Sequence, residues 1–244
     1  MSIEMRPRIG EPYAGSSEHP LLRPKDAASI MLVDRSGDIP RVLMGKRGKA
    51  HVFMPSAYVF PGGRRDAGDS RIRPAQALHP AVLQKLLQRC GRGMTPTRAQ
   101  ALAVAAIRET HEEVGLTIGA PGAVGKSAAW AGFAKQDVGP DLSRLRYIAR
   151  AITPPRQSRR FDTRFFACFF DEISANPKDV AESTELHDLK WVGFDEIETF
   201  KLPVITRTVL LDLAEEMRRD PGLAYGQPVP FYLVKGGIFT RDVI

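Results

Sequence analysis

One stretch near the middle of the chain constrains the fold more than any other, because it concentrates negative charge on a helix. Residues 108–116 read Arg-Glu-Thr-His-Glu-Glu-Val-Gly-Leu. If residues 98–114 form a helix, Glu109, Glu112 and Glu113 stand at i, i+3 and i+4 and project from one face. Like charges at this spacing destabilise an isolated helix by roughly 0.2–0.5 kcal/mol per pair. The face is therefore either a solvated acidic surface or a site for a hard cation such as Mg²⁺.

The same stretch resembles the second half of the Nudix signature, Gly-x5-Glu-x7-Arg-Glu-U-x-Glu-Glu-x-Gly-U with U aliphatic, and only Thr110 departs from it. Upstream, residues 60–69 read Phe-Pro-Gly-Gly-Arg-Arg-Asp-Ala-Gly-Asp and resemble the first half. Gly63 takes the place of the first glycine, and Asp69 stands where the signature has glutamate. The two halves together select the Nudix family rather than an arbitrary acidic helix.

A second departure from the signature is its length, since 38 residues (70–107) separate Asp69 from Arg108 where the signature has seven. This insertion, the Phe-Pro-Gly-Gly approach, and the run Arg-Arg-Phe-Asp-Thr-Arg-Phe-Phe at 159–166 resemble the branch of the family that cleaves coenzyme A and acyl-CoA. The resemblance covers most of residues 27–215.

The resemblance also implies a set of site residues. Glu109, Glu112 and Glu113 are the expected ligands of Mg²⁺ or Mn²⁺, and Glu109 and Glu112 are the expected centre of catalysis. Asp69 is expected to support the metal site from the loop, with Asp66 as a substitute because the Asp69 side chain is one methylene shorter than glutamate.

The glycines and the arginine that flank these carboxylates have supporting roles. Gly62 and Gly63 lack side chains and so let the backbone approach a bound ligand closely. Arg108 is expected to pair with a carboxylate and hold its rotamer, as a guanidinium fork does well. His111 points away from the acidic face, by about 100° per residue, and is interpreted as a surface residue.

A general base is expected from the loop at residues 179–185, ahead of a late strand that contains Trp191. Glu185 is the first candidate and Glu182 the second. The alternative is that both are solvated loop acids.

Four arginines in or beside one loop are expected to bind substrate phosphates, because planar guanidiniums hold phosphate oxygens in bidentate fashion. They are Arg156, Arg159, Arg160 and Arg164. The alternative for Arg160 and Arg164 is an ion pair with Asp162 or with the acidic helix.

Composition excludes several classes of protein. The 244 residues, 43% hydrophobic and 26% charged, fit one elaborated globular domain. No apolar run approaches the ~20 residues that span a bilayer, and the N-terminus lacks the apolar core of a signal peptide, so we expect a cytoplasmic protein with Cys90 and Cys168 reduced. The net charge of +7 is dispersed and favours a phosphorylated small molecule over nucleic acid or a membrane. A homodimer is one option for assembly.

The pattern along the chain predicts a mixed sheet with helices on both faces and a helical insertion, in agreement with the α/β/α sandwich that the Nudix resemblance implies. Residues 1–26 are expected to form an irregular arm, and 27–244 a single domain with its insertion at about 70–97. Apolar and aromatic runs predict strands at 27–33, 41–45, 57–60, 145–152, 164–171 and 189–194, and the tail, with its runs at 229–234 and 238–239, is expected to be a terminal strand or a packed arm. Helical spacing predicts one helix in the insertion, one over 98–114 capped by Thr97 and Gln100 and ended by Gly115, and one beginning at Pro203.

These expectations lead to a predicted reaction, the metal-dependent hydrolysis of CoA or acyl-CoA to 3′,5′-ADP and (acyl)phosphopantetheine. The insertion is expected to cover the active site and supply an apolar wall for the pantetheine arm. Two alternatives stay open: an ADP-sugar or dinucleoside-polyphosphate pyrophosphatase, and a non-catalytic module that senses a nucleotide.

Overall fold

The structure is a computed structural model that describes residues 9–13, 19–48, 57–125, 127–173 and 180–244. Its strands are β1 (Lys25–Asp34), β2 (Arg41–Arg47), β3 (Tyr58–Val59), β4 (Gly62–Arg64), β5 (Gly119–Pro121), β6 (Val138–Pro140), β7 (Arg146–Ile152), β8 (Phe161–Phe169), β9 (Leu186–Gly193), β10 (Pro230–Lys235) and β11 (Ile238–Val243). Its helices are α1 (Pro80–Leu86), α2 (Pro96–Val114), α3 (Ala131–Lys135) and α4 (Val204–Arg219).

One large mixed sheet organises the described chain, and β1 lies near its centre. The strand order is β11-β10-β7-β8-β1-β2-β3, with β4 added to β1 and β9 added to β2. The pairs β1–β8 and β7–β10 are parallel, and the other pairs are antiparallel. Because side chains alternate across a strand, Ile30 and Leu32 face one apolar cluster and Met31 and Val33 face the other.

Helix α2 covers the first face of the sheet. Its middle turns are almost entirely buried, from Ala101 to Ile107, and the small alanines among them let the helix lie close to β1. Gly115 ends the helix with φ 75°, the left-handed conformation that favours glycine. The predicted start of the helix, at residue 98 after a cap at Thr97, is wrong by two residues. Thr95 is the N-cap, and its hydroxyl accepts from the Arg98 amide at 3.2 Å, because Pro96 fits the first helical position.

Helix α4 covers the opposite face and completes the predicted α/β/α sandwich. It begins after Pro203 and buries the predicted side, which comprises Val209, Leu210, Leu213 and Met217. Within the described residues no helix has both the length and the apolarity to cross a membrane. Cys90 and Cys168 are both free thiols.

The insertion contains the predicted helix, α1, which belongs to the core of the first face. Val82 and Leu86 are buried against the cluster that includes α2. Lys85 Nζ donates to the Ile244 carbonyl at 2.8 Å, and Arg150 Nη1 donates to the Arg89 carbonyl at 2.9 Å. The insertion is therefore a packed part of the fold, tied to the C-terminal strands.

Three further features differ from the predicted elements. Strand β1 begins at Lys25, inside the segment expected to be irregular, and residues 9–13 run beside β11 through backbone hydrogen bonds such as Tyr13 N to Gly237 O at 2.7 Å. Strand β8 begins at Phe161 rather than at 164. The pairs β4–β1 and β5–β6 were outside the sequence prediction, because three-residue strands rich in glycine and proline carry no periodicity.

Candidate active site

The three glutamates at the C-terminal end of α2 lie against β4, the short strand that pairs with β1. The Gly62 amide donates to Glu113 Oε2 at 2.8 Å. A Cβ at Gly63 would lie 2.5 Å from Glu109 Oε2, and a Cβ at Gly62, with φ 150°, would lie 2.5 Å from the Ala28 carbonyl. Real Cβ contacts of this length do not occur, so the backbone contact at Gly62 requires glycine, and a side chain at Gly63 would displace the Glu109 carboxylate. The predicted close approach at Gly62 and Gly63 is thus an approach to the acidic helix itself.

Arg108 holds the carboxylates in place. Its guanidinium donates to Glu109 Oε1 at 2.8 Å, to Glu112 Oε2 at 3.0 Å and to the Arg64 carbonyl at 3.0 Å. Burial alone would lower the pKa of Arg108, but the hydrogen bond to Asp69 and the charge of Glu109 outweigh it, so its pKa lies above the ordinary value. The predicted role of Arg108, a clamp on carboxylate rotamers, fits these contacts.

The structure places Asp69 differently from the expected metal ligand. Its oxygens accept from Arg108 Nε at 2.9 Å, from Arg108 Nη2 at 3.2 Å and from the Asp66 amide at 2.7 Å. The residue is 3% exposed and does not line the cleft described below. A carboxylate engaged in this way anchors Arg108, so Asp69 acts on the site through that arginine. Asp66 is exposed and lines the cleft.

We call Asp69, Glu109, Glu112, Glu113 and Arg108 the carboxylate cluster, in which Arg108 pairs with the first three. Burial raises the pKa of Glu113 to about 8, against the Gly62 hydrogen bond, and the charge of Glu109 adds to the rise. Burial also raises the pKa of Glu109, where Arg108 opposes the rise and Glu112 and Glu185 reinforce it. With four carboxyl groups and one arginine, the cluster also has more acidic groups than its arginine can pair with.

The oxygen donors of the cluster are of the kind that a hard divalent cation binds, although the side chains are not arranged as a metal site. Among the described residues, no group of three or more His, Cys, Asp or Glu side chains stands in a metal-binding arrangement. Glu109 and Glu112 are paired with Arg108, and Glu113 with Gly62. Carboxylate oxygens are nevertheless the donors that Mg²⁺ and Mn²⁺ prefer, and uncompensated charge is what such a cation would neutralise.

A cleft of about 770 Å³ opens over the cluster. Among the described residues that line it, Leu22, Ala27 and Phe161 supply the apolar side chains, and none comes from residues 70–97. The predicted apolar wall from the insertion is therefore wrong, because α1 packs into the core. The cleft is rich in cations that surround the acidic floor: Arg23, Lys25, Arg47, Arg64, Arg108, Arg159 and Arg160.

Arg47 is the lining residue that sequence reasoning missed most clearly. It ends β2 beside the cluster, where burial lowers its pKa and the charges of Glu113 and Glu185 oppose that effect. An apolar strand that ends in Lys-Arg-Gly could have indicated it, because a cation that follows a buried run lies where the strand leaves the core.

The two base candidates occupy different positions. Glu185 is exposed, lines the cleft and lies near enough to the cluster for its charge to raise the pKa of Glu109 and Glu113. Glu182 does not line the cleft, and its Oε1 accepts from the Leu189 amide at 3.3 Å. Residue 179 of the predicted loop lies outside the described residues. The geometry thus favours the first candidate over the second.

The four predicted phosphate-binding arginines divide into two groups. Arg159 and Arg160 line the cleft, although Arg160 also donates to the Thr153 carbonyl at 2.9 Å and the Leu22 carbonyl at 2.7 Å. Arg156 is exposed outside the lining, with φ 58°. Arg164 is 1% exposed and pairs with Asp162 at 3.0 Å, which is the alternative weighed from sequence.

The alternation of β8 explains the position of Arg164. Phe166 and Cys168 lie in the cluster under α2, and Arg164 shares their side of the strand. His111 likewise lies away from the acidic face, as expected, but it is half-buried against Phe133 rather than on the surface, with ring centroids 5.1 Å apart.

No protein-family model matches the sequence. Among solved structures, the chain is similar to a Nudix hydrolase from Alicyclobacillus acidocaldarius, with 25% identity, 85% of this chain and 100% of that chain covered, and a TM-score of 0.59. It also matches the Nudix hydrolase RenU from M. smegmatis at 17% identity, covering 88% of this chain and 99% of that one with a TM-score of 0.47. A MutT protein from Methanosarcina mazei Go1 matches at 14% identity, 83% and 99% coverage, and a TM-score of 0.46.

Proposed function

We infer that this chain is a Nudix hydrolase that uses a divalent cation to cleave a diphosphate linkage. It shares its fold with the Alicyclobacillus acidocaldarius hydrolase at 25% identity over the whole of that chain. The observation that carries the reaction is that Glu109, Glu112 and Glu113 line one cleft together with many cationic side chains. A module that only senses a nucleotide has no need for three glutamates on one helix face with Gly62 and Gly63 packed against them.

The cluster is suited to hold Mg²⁺ or Mn²⁺ through Glu109, Glu112 and Glu113. Such a cation, when bound, neutralises charge on the non-bridging and leaving oxygens of a diphosphate. Arg108 donates to Glu109 and Glu112, which line the cleft. Asp69 in turn pairs with Arg108 and holds its guanidinium in a buried position. Gly62 and Gly63 bring the β4 backbone against the same carboxylates, so the site is assembled by close contact of two elements.

Glu185 is the proposed general base. A carboxylate that lines the cleft and stands close to the cluster can accept the proton of a water that attacks phosphorus. Arg47 and Arg159 line the same cleft as Glu185, and guanidiniums there would stabilise phosphate oxygens as negative charge develops.

For the substrate, we propose CoA or acyl-CoA, cleaved to 3′,5′-ADP and (acyl)phosphopantetheine. The support is electrostatic: a cleft with many cations suits a substrate that carries three phosphates. A second candidate, an ADP-sugar or dinucleoside polyphosphate, is favoured by one observation, because the cleft offers few apolar side chains to an acyl-pantetheine arm.

A substrate panel tests both levels of the proposal. CoA, an acyl-CoA, dephospho-CoA, ADP-ribose and a dinucleoside polyphosphate are incubated with Mg²⁺, Mn²⁺ or EDTA, and the products are identified by mass. We expect metal-dependent cleavage at the diphosphate, fastest for CoA compounds. Rapid cleavage of ADP-ribose with inert CoA would overturn the substrate, and failure to cleave any member would overturn the reaction.

A further inference from the structure

A second cavity of about 260 Å³ adjoins the cleft, and we call it the side pocket. It lies between the start of β1, the end of β4 and the first turn of α2. Lys25, Arg64 and Asp66 line both cavities, so the side pocket continues directly from the cleft. Pro24, Asp26, Arg65 and Arg98 complete its lining.

Positive charge exceeds negative charge in this lining. Lys25, Arg64, Arg65 and Arg98 face two acids, Asp26 and Asp66. Asp26 is already saturated, since its Oδ2 accepts from Arg65 Nε at 3.2 Å and from Arg98 Nε at 2.6 Å. It therefore cannot neutralise Lys25 or Arg64 as well.

Further cations stand behind Asp26 and strengthen this imbalance. Arg164 lies 3.6 Å from Asp26 Oδ1 and also pairs with Asp162, which Arg150 grips at 2.8 Å. We call this group the arginine cluster. It consists of two carboxylates and four guanidiniums: Asp26, Asp162, Arg65, Arg98, Arg150 and Arg164.

The arginine cluster leaves donors available at the side pocket. Arg98 Nη1 donates to the Gly93 carbonyl at 3.3 Å, and Arg65 Nη1 donates to Ser70 Oγ at 3.3 Å. Within the described chain, the Nη2 atoms of these two arginines, the Lys25 ammonium and the Arg64 guanidinium carry no hydrogen bond or ion pair. Cationic donors that converge on a concave surface are what a phosphate monoester requires.

We propose that the side pocket binds a second anionic group of the substrate, a phosphate monoester separate from the diphosphate that is cleaved. This inference rests on the proposed function, because the diphosphate must lie over the carboxylate cluster for the second group to reach past Lys25 and Arg64. It also places recognition of the second phosphate away from the predicted loop at 156–164, where Arg164 is buried and Arg160 is engaged with backbone carbonyls.

Binding of two products separates this inference from catalysis. Adenosine 3′,5′-bisphosphate and 5′-AMP differ by one phosphate monoester, and isothermal titration calorimetry measures both without turnover. Since hydrogen bonds between charged groups are the strong ones, we expect the bisphosphate to bind at least about tenfold more tightly, a difference of ~1.4 kcal/mol. We expect Arg98→Gln and Lys25→Gln each to reduce that ratio severalfold.

The controls guard against a purely structural effect. Lys25 has no side-chain partner in the described chain, so its substitution leaves the arginine cluster intact, and Arg98→Lys retains the charge and should recover part of the ratio. Arg92→Gln changes an exposed arginine that lines neither cavity and should leave the ratio unchanged. Equal affinity of the wild type for both ligands, or an unchanged ratio in both pocket variants, overturns the inference. Inert diphosphates with a preserved binding ratio would overturn the proposed function alone.

Discussion

The carboxylate cluster and the arginine cluster are both built from ion pairs between carboxylates and guanidiniums, but carboxylates outnumber guanidiniums in the first and the reverse holds in the second. In the first, Arg108 is shared by Asp69, Glu109 and Glu112, with Glu113 beside them. In the second, two aspartates are shared by four arginines. The glutamates of the first stand at the C-terminal end of α2, and Arg98 of the second stands in its first turn.

The difference in proportion decides what each cluster can bind. A group with surplus carboxylates is completed by a cation, and a group with surplus guanidiniums is completed by an anion. A substrate with a metal-bound diphosphate and a separate phosphate would satisfy both at once. The comparison therefore connects the proposed reaction to the proposed side pocket.

The largest expected effect is on turnover, from Glu112→Gln. The change removes one surplus charge yet keeps the shape of a side chain that is 41% exposed. We expect kcat to fall about a thousandfold, equivalent to ~4 kcal/mol of transition-state stabilisation, with the fold retained. Steady-state kinetics and circular dichroism check this, with Glu215→Gln on the exposed face of α4 as the matched control. Near-full activity in the variant would remove Glu112 from the metal site.

The next effect concerns stability and contrasts the two clusters directly. Arg108→Met leaves Asp69 buried without a cation, which should lower the free energy of unfolding by about 3 kcal/mol. Arg164→Met should change it by only about 1 kcal/mol or less, because Asp26 keeps Arg65 and Arg98, and Asp162 keeps Arg150.

Urea denaturation of the two arginine variants measures this contrast. The buried Arg164 Nε has no hydrogen-bond partner in the described chain, which further reduces the penalty of replacing it. Equal destabilisation by the two substitutions would show that the proportion of charges does not matter.

Metal binding should stabilise the wild type through the carboxylate cluster. At a hundred times the dissociation constant a ligand adds about 2.7 kcal/mol, or roughly 5–10 °C in melting temperature for a chain of this size. Thermal denaturation with Mn²⁺ or Mg²⁺ against EDTA measures the shift, and Glu113→Gln should lose most of it. A wild-type melting temperature that is unchanged by both metals would contradict the metal site.

The last prediction is a difference in pH response without metal. The pKa of Glu113 rises from 4.5 to about 8 on folding, so the folded state binds the proton more tightly and stability falls as pH rises through that window. Burial raises the pKa of Asp26, but Arg98 and its neighbours lower it overall, so its contribution is present above 3.8 and is lost on acidification. Melting temperatures in EDTA at pH 5 and pH 8 should converge for Glu113→Gln, whereas Asp26→Asn should leave this difference unchanged.

Sequence alone predicted the features that follow from spacing. The glutamates share a face because helical geometry fixes i, i+3 and i+4, and Gly115 ends α2 because few other residues accept its φ. The sandwich followed from the alternation of strands such as β1 and the one-sided pattern of α4. These elements need no knowledge of distant contacts.

What the sequence left open depended on partners far away in the chain. Asp69 could be read as a ligand until its contact with Arg108 was known, and the leucines of the insertion required burial without indicating against which surface. Arg164 lies among aromatic residues that alternate between two buried faces of β8. The sequence pattern at 161–169 therefore already indicated that the Arg164 side chain is buried.

The contact between Asp69 and Arg108 also closes the insertion into a ring, because it joins the two residues at its ends. Closure entropy grows slowly with contour length, by about 0.6 kcal/mol for each doubling. Once the ends are joined by this ion pair, the number of residues between them has little influence on where the glutamates stand. The exposed glycine turn at 91–93, beyond the packed helix α1, is accordingly a position where a reporter domain could be spliced into the chain while the active site keeps its register.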